Sequence, residues 1–398
     1  MVEGIIVRCP SCRSTYRVAR ELLGNQTRCA RCGTRFRIEP CAGDGPPGAT
    51  VAGCVLCGRP LRAAEAASDA EADVCTCCRG SERFTEIEPS LQLLRMVRQH
   101  PAADAHQPLP ELAEHEVEKT LGTSPHSVVF LMRSTRGDQH KVLKVMRSEI
   151  AVSDAALRRF RREVSIVRQL EHPHIVKVRE EGRVDQLFYF TMDYYARGSV
   201  DSLIRESGTR LPLALAANLM LQVLGALDFA HQQEVGVDLE DGSQQRGTGV
   251  VHRDVKPANI LLDEDADGLK AVLADFGLAK AFELAGFSGI TMTGASVGTI
   301  PFMPREQAID AKHVGPASDV WSAAATFYYM LTGAYPREPV GRMTPWEVVT
   351  RGRLVPIIER APALPQRLAG VFDAALAHRA ADRFQTASQF RRELEKVL

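Results

Sequence analysis

The run His252-Arg253-Asp254-Val255-Lys256-Pro257-Ala258-Asn259, followed sixteen residues later by Asp275-Phe276-Gly277, decides the fold. Upstream lies Lys141-Val142-Leu143-Lys144, a strand-like run that ends in Lys. Around these motifs, from about Glu111 to Leu398, strand-like and helix-like segments alternate. A chain of 398 residues suggests two or three domains, any of which could hold a core. Its composition, 45% apolar and 25% charged, is that of an ordinary globular protein. Formal net charge is zero, so the whole molecule makes no electrostatic case for nucleic acid or an anionic membrane.

In order and spacing these motifs match the protein-kinase signature set. Over about Glu114–Leu398 the sequence resembles the bacterial eukaryotic-like Ser/Thr protein kinases. The resemblance implies an α+β, bilobal kinase domain over residues 111–398, with a small, mostly antiparallel β lobe carrying one helix and a larger helical lobe. It also implies ATP and Mg²⁺ as cofactors and protein Ser/Thr hydroxyls as acceptors. Phosphoryl transfer needs charge neutralised on the phosphates and a hydroxyl aimed at the γ-phosphorus, and little other chemistry.

Residue by residue, the resemblance assigns Asn259 and Asp275 to Mg²⁺, and hard oxygen ligands suit that ion. Lys144 falls to the α/β-phosphates, Asp254 to the substrate hydroxyl proton, and Lys256 to the γ-phosphate. The partner of Lys144 is expected to be Glu163, on a helix over Ser153–Leu170. That helix has a Ser/Asp N-cap, and Leu157, Phe160, Val164, Val167 and Leu170 stand at helical spacing. Glu163 borders its inward face, where a carboxylate is costly unless paired. Met192 takes the gatekeeper position, and the backbone around Asp193 and Tyr195 is expected to hydrogen-bond the purine.

Departures from the family pattern carry their own information. The phosphate loop reads Leu121-Gly122-Thr123-Ser124-Pro125-His126-Ser127-Val128-Val129, where the family has Gly-x-Gly-x-x-Gly-x-Val. Only Gly122 is kept; Ser124 and Ser127 replace the other two, and Val129 closes the motif. Ser and a neighbouring Pro restrict the backbone freedom that Gly allows. Weakened ATP binding or turnover is therefore expected, and a pseudokinase scaffold is the rival function. The Ala-Pro-Glu motif appears as Pro304-Arg305-Glu306, with Arg383 as the expected ion-pair partner of Glu306. Asp319 matches the buried Asp that braces the catalytic loop. Between His231 and His252 the chain carries an extra Gln/Gly/Asp-rich stretch, about Gln233–Gly249, expected to be a solvated loop.

All ten Cys fall between Cys9 and Cys78. Cys9-Pro-Ser-Cys12, followed by Tyr16 and Val18, recurs twenty residues later as Cys29-Ala-Arg-Cys32, followed by Phe36 and Ile38. Each copy reads as a Cys-x-x-Cys turn entering a short strand. So small a unit cannot bury enough surface alone, and four thiolates at this spacing can close a tetrahedron around Zn²⁺. Residues 1–40 thus resemble a bacterial zinc ribbon. A second ribbon is expected over 50–80, from Cys54, Cys57, Cys75 and Cys78, with redox-active thiols as the alternative. Residues 81–110 read as a linker, broken by Pro101, Pro108 and Pro110.

Residues 1–40 carry eight Arg against three Glu, the one feature that would favour a nucleic-acid or acidic partner. Met1–Arg8 lacks a basic start followed by an apolar core, so no signal peptide is expected. The most apolar stretch, Leu211–Ala230, is interrupted by polar residues and is expected to be a buried helix; a cytoplasmic protein follows. Finally, Arg253 directly precedes Asp254. In kinases with that arrangement a phosphate on the activation segment orders the loop. Thr291 and Thr293 are the expected sites, modified in trans by a second copy of the chain, which implies self-association or a dimer.

Overall fold

The computed structural model describes residues 4–8, 15–19, 25–28, 35–37, 54, 115–123, 127–146, 164–184, 187–208, 210–238, 244–266, 268–276, 300–310 and 314–398. Two compact units emerge, residues 1–147 with 182–189, and residues 148–181 with 190–398.

The first unit opens with two hairpins. Strands β1 (Gly4–Arg8) and β2 (Thr15–Ala19) pair antiparallel, and β3 (Gln26–Arg28) pairs likewise with β4 (Arg35–Arg37). The expected strands after each Cys-x-x-Cys are present, and each has a partner strand before it. Cys9 and Cys12 fall in the connection of one hairpin, Cys29 and Cys32 in that of the other; all four lie outside the described residues. So do Cys57, Cys75 and Cys78, whereas Cys54 is buried.

A five-stranded sheet follows, in the order β5 (His115–Thr123), β6 (Ser127–Ser134), β7 (His140–Met146), β9 (Leu187–Asp193), β8 (Val178–Val184). The first three strands form an antiparallel meander. Val128, Phe130, Leu143 and Val145 are fully buried. The expected phosphate loop, Leu121–Val129, spans the end of one strand and the start of the next. Strand β5 runs through Thr123 and β6 starts at Ser127, leaving residues 124–126 as the connection.

The second unit is mainly helical: α1 (Val200–Glu206), α2 (Leu213–Gln232), α3 (Arg305–Ile309), α4 (Pro316–Thr332), α5 (Pro345–Arg351), α6 (Ile357–Arg360), α7 (Gln366–Ala375) and α8 (Ala387–Glu395). Residues 164–168 are helical as well, with Val164 and Val167 buried. Helix α4 is its axis: Trp321, Phe327, Tyr328 and Met330 are fully buried. Pro316 opens α4, where its missing N–H costs nothing, and Gly333 ends it at φ 69° with its N–H on the Tyr329 carbonyl at 2.8 Å. Helix α2 is long and apolar enough to cross a membrane by length and composition. Its Leu219, Met220, Leu224 and Leu227 are buried among α4, α8 and the strand Gly268–Leu273, as expected of a core helix.

Strands β12 (Ile260–Asp265) and β13 (Gly268–Leu273) pair antiparallel and carry the chain from the catalytic loop to Asp275. The stretch expected as a solvated loop contains structure. Strands β10 (Glu234–Asp238) and β11 (Gln244–Thr248) form a hairpin in continuous register, from Glu234↔Thr248 to Asp238↔Gln244. Val235 and Val237 alternate with Glu234 and Gly236, a strand pattern that the polar composition of the flanks masked.

Candidate active site

Asp254 is the centre of the second unit's loop cluster. Its Oδ2 accepts hydrogen bonds from Lys256 Nζ at 2.8 Å and Asn259 Nδ2 at 3.0 Å. Asn259 Nδ2 also donates to the Asp254 carbonyl at 2.8 Å, which leaves the amide oxygen as that side chain's group for a cation. The other carboxylate oxygen, Asp254 Oδ1, is buried without a hydrogen-bond partner among the described residues. Ala274 N donates to the Asn259 carbonyl at 2.8 Å, so the residue next to Asp275 is tied to the same loop. Asp275 has φ 64°, and Arg253 has φ 70°. Such values are uncommon for residues other than glycine and cost about 1–3 kcal/mol each unless the surroundings hold them.

Asp319 does that holding for Arg253. Fully buried on α4, it accepts from Arg253 N at 2.8 Å through Oδ1 and from His252 N at 2.7 Å through Oδ2. His231 Nε2 lies 2.8 Å from the same Oδ2. Burial alone would raise the Asp319 pKa; the hydrogen bond and charge of His231, with His252 and the Arg253 N–H, pull it below its ordinary value. On the other side, Gln307 Nε2 donates to the Arg253 carbonyl at 2.8 Å.

His252 links the two halves of the motif. Its Nδ1 accepts from Asp254 N at 3.1 Å and its Nε2 meets the Ala274 carbonyl at 2.9 Å. Those partners fix a neutral ring with its hydrogen on Nε2. Burial pushes the His252 pKa down, against the upward pull of Asp319 and Asp254. The Phe276 ring packs edge-on against it at 4.5 Å between centroids.

Support comes from further out as well. Arg383, whose side chain is fully buried, grips Glu306 with two bonds, Nη1–Oε1 at 2.6 Å and Nη2–Oε2 at 3.0 Å, and Ser318 Oγ donates to Oε1 at 2.8 Å. Burial would raise the Glu306 pKa, and the Arg383 guanidinium more than offsets it.

At the positions expected for adenine, Met192 is buried. Arg179 clamps Asp193 through Nε–Oδ1 at 2.7 Å and Nη2–Oδ2 at 2.8 Å, a pairing of adjacent strands that residue spacing alone did not signal. Burial, with help from Asp193 and Asp263, pushes the Tyr195 phenol up to about 12. In the first unit Gly122 and Lys144 both stand opposite Val129, on either side of β6, so the three share one row of the sheet. Ser127 opens β6 opposite Met146 and is buried. Ser124, Glu163, Thr291 and Thr293 lie outside the described residues.

The protein kinase domain model matches residues 115–366. The chain belongs to the protein kinase family. The kinase domain is 32% identical over 283 residues to the Ser/Thr-protein kinase PknF of Mycobacterium tuberculosis, covering 70% of this chain and 55% of that protein. It is 30% identical over 293 residues to PknB of Mycobacterium leprae, covering 72% of this chain and 44% of that protein. The chain thus spans about half the length of these curated relatives. Among solved structures, the M. tuberculosis PknI kinase domain matches with a TM-score of 0.52 and 27% identity, covering 71% of this chain and 95% of that one.

Proposed function

We propose that this kinase transfers the γ-phosphoryl group of ATP to Ser/Thr hydroxyls of proteins, and that Asp254 receives the acceptor's proton. One observation supports the assignment: Lys256 and Asn259 hold one carboxylate oxygen of Asp254, while the other is buried without a partner among the described residues. An orphaned buried acceptor is costly on its own. A substrate hydroxyl supplies the missing donor and is aimed as it binds. Lys256, on Asp254 Oδ2, is the cation for the phosphoryl group in flight. Protein kinases use Mg²⁺ with ATP, and the donor set fits it: the Asn259 amide oxygen and the Asp275 carboxylate are hard oxygen ligands. Held there, the ion would supply neutralisation of phosphate charge. Lys144, with Glu163 as its partner, is assigned to the α/β-phosphates. The name of each curated relative, a Ser/Thr-protein kinase, supports this class of acceptor.

Two further assignments complete the proposal. Cys9, Cys12, Cys29 and Cys32, two Cys-x-x-Cys pairs twenty residues apart in the sequence, are the proposed ligands of one Zn²⁺, and Cys54, Cys57, Cys75 and Cys78 those of a second. Thr291 and Thr293 are the proposed autophosphorylation sites, modified by another copy of the chain.

Purified protein incubated with Mg²⁺ and labelled ATP should become labelled on Ser or Thr. Asp254→Asn and Lys144→Met should each remove the label. Activity that survives both substitutions would refute the assigned roles.

A further inference from the structure

The hairpin β10–β11 stands between α2 and the catalytic loop with almost no slack. One residue, Gln233, precedes it, and residues 249–251 lead from it to His252. Its base is closed by Gly249 N on the Gln233 carbonyl at 3.0 Å and Val250 N on the Ala230 carbonyl at 2.8 Å. Gly249 has φ 89°, and a Cβ there would lie 2.8 Å from the His231 carbonyl oxygen, so the closure requires glycine. His231 is the residue that meets Asp319. The insertion is therefore rooted on the support of the catalytic loop.

Its outer edge is gripped from elsewhere. Gly236 N donates to Gln169 Oε1 at 3.0 Å, and Gln169 Nε2 donates back to the Gly236 carbonyl at 2.9 Å. Both polar groups of Gly236 thus face away from β11, and the Gln169 amide acts as a one-residue third strand. Gln169 Nε2 also donates to the Ser165 carbonyl at 3.0 Å, a group that a helix end leaves without an intrahelical donor. Both amide hydrogens and the amide oxygen are used. Val235, beside the grip, is buried.

Gln169 ends the helical segment 164–168, six residues after Glu163 in sequence. Beyond it the chain is fastened independently. His172 stacks on Phe229 at 5.0 Å, and Val176 N donates to the Leu273 carbonyl at 3.0 Å. Those contacts hold the segment to α2 and β13 but do not reach the hairpin. We propose that Gln169 is a positioning residue that makes the insertion a strut, joining the end of the helical segment 164–168 to the brace of the catalytic loop. The strut sets how firmly that helix is held, and hence how well ATP is gripped. This rests on the role given to Glu163 above, and the amide-exchange measurement below does not.

The test uses the full chain. Gln169→Ala removes all three bonds. Gln169→Glu keeps an acceptor for Gly236 N but turns a carboxylate on two carbonyls. Gly236→Ala is the control, because it keeps both backbone groups and places its Cβ in open space. Kinetics with ATP and a generic Ser/Thr acceptor protein, affinity for a non-hydrolysable ATP analogue, and amide exchange over 164–170 and 234–238 are measured. Both Gln169 variants should lose about tenfold in kcat/KM for ATP, the loss expected when roughly 1.4 kcal/mol of net hydrogen bonding goes. KM for the acceptor should not move. Analogue affinity should fall, exchange should quicken in both segments together, and Gly236→Ala should behave as wild type. Unchanged ATP kinetics and analogue affinity, or faster exchange in the hairpin alone, overturns the strut. A wild-type protein without turnover refutes the assigned catalytic roles instead, and amide exchange still decides the strut.

Discussion

Replacing Asp319 by Asn tests the catalytic-loop brace with the smallest change of shape. The carboxylate receives three donors: Arg253 N on one oxygen, His252 N and His231 Nε2 on the other. An amide has one oxygen. Its better orientation keeps that oxygen on the doubly used side and turns the NH₂ toward Arg253 N. One buried backbone N–H is then orphaned, at about 1–3 kcal/mol. The two surviving bonds lose their ionic strengthening, roughly 1 kcal/mol apiece. The sum, about 3–5 kcal/mol, agrees with the usual cost of breaking a buried charged pair. Melting temperature should fall by roughly 6–20 °C, at about 2–4 °C per kcal/mol for a domain of this size. The loss falls on the acceptor that holds Arg253 at φ 70°, so its peptide relaxes and Asp254 moves with it. A displacement on the order of 1 Å at the reacting group costs about a hundredfold in rate. Thermal unfolding and labelled-ATP transfer read the two effects separately. A variant within twofold of wild-type activity and about 2 °C of its melting temperature would refute the brace.

Three other outcomes follow from the same chemistry. His252 has a folded pKa below its ordinary value, so its contribution is present above about pH 6.5 and is lost as pH falls through the lower folded value; urea midpoints at pH 7.5 and 5.5 should show that decline, and His252→Gln should reduce it. Zinc analysis should return at least one Zn²⁺ per chain, and chelation should unfold residues 1–40, since such sites supply about 10–16 kcal/mol of apparent binding energy; protein purified without chelator and free of zinc would contradict this. Mass spectrometry of active protein should find phosphate on Thr291 or Thr293, and the Thr291→Ala/Thr293→Ala double variant should lose most activity; full turnover would leave the switch without its sites.

The catalytic cluster was legible because its chemistry is local. Asp254, Lys256 and Asn259 lie within six residues, so their spacing nearly dictates that they meet. Asp319 and the Glu306–Arg383 pair were legible only through family resemblance, because 66 and 77 residues separate the partners. Arg179 and Asp193 pair across neighbouring strands, and opposite charges fourteen residues apart carry no periodic signal. Ser127 stands at the start of β6, where the β-branched Val128 and Val129 behind it extend the strand to include it.

The insertion shows where composition misleads. Gln, Gly and Asp over 233–249 indicate a loop, since none of them favours a strand. Two short strands of this kind would be marginal in isolation. The hairpin is stabilised by what it touches: Val235 buried beneath it, the closed base at Gly249 and Val250, and the amide of Gln169 along its edge. None of those contacts is local in sequence to the strands they hold, apart from the base. Gly249 was the one residue that could have given the hairpin away. A glycine three positions before a catalytic-loop His, at the end of a polar insertion, is the place where a chain must turn sharply against a helix end. The backbone does so there, at φ 89° with the His231 carbonyl in the space a Cβ would fill. Structure in such an insertion is decided by its anchors, and an anchor that also caps the helical segment 164–168 ties the insertion to a second element beside the catalytic loop.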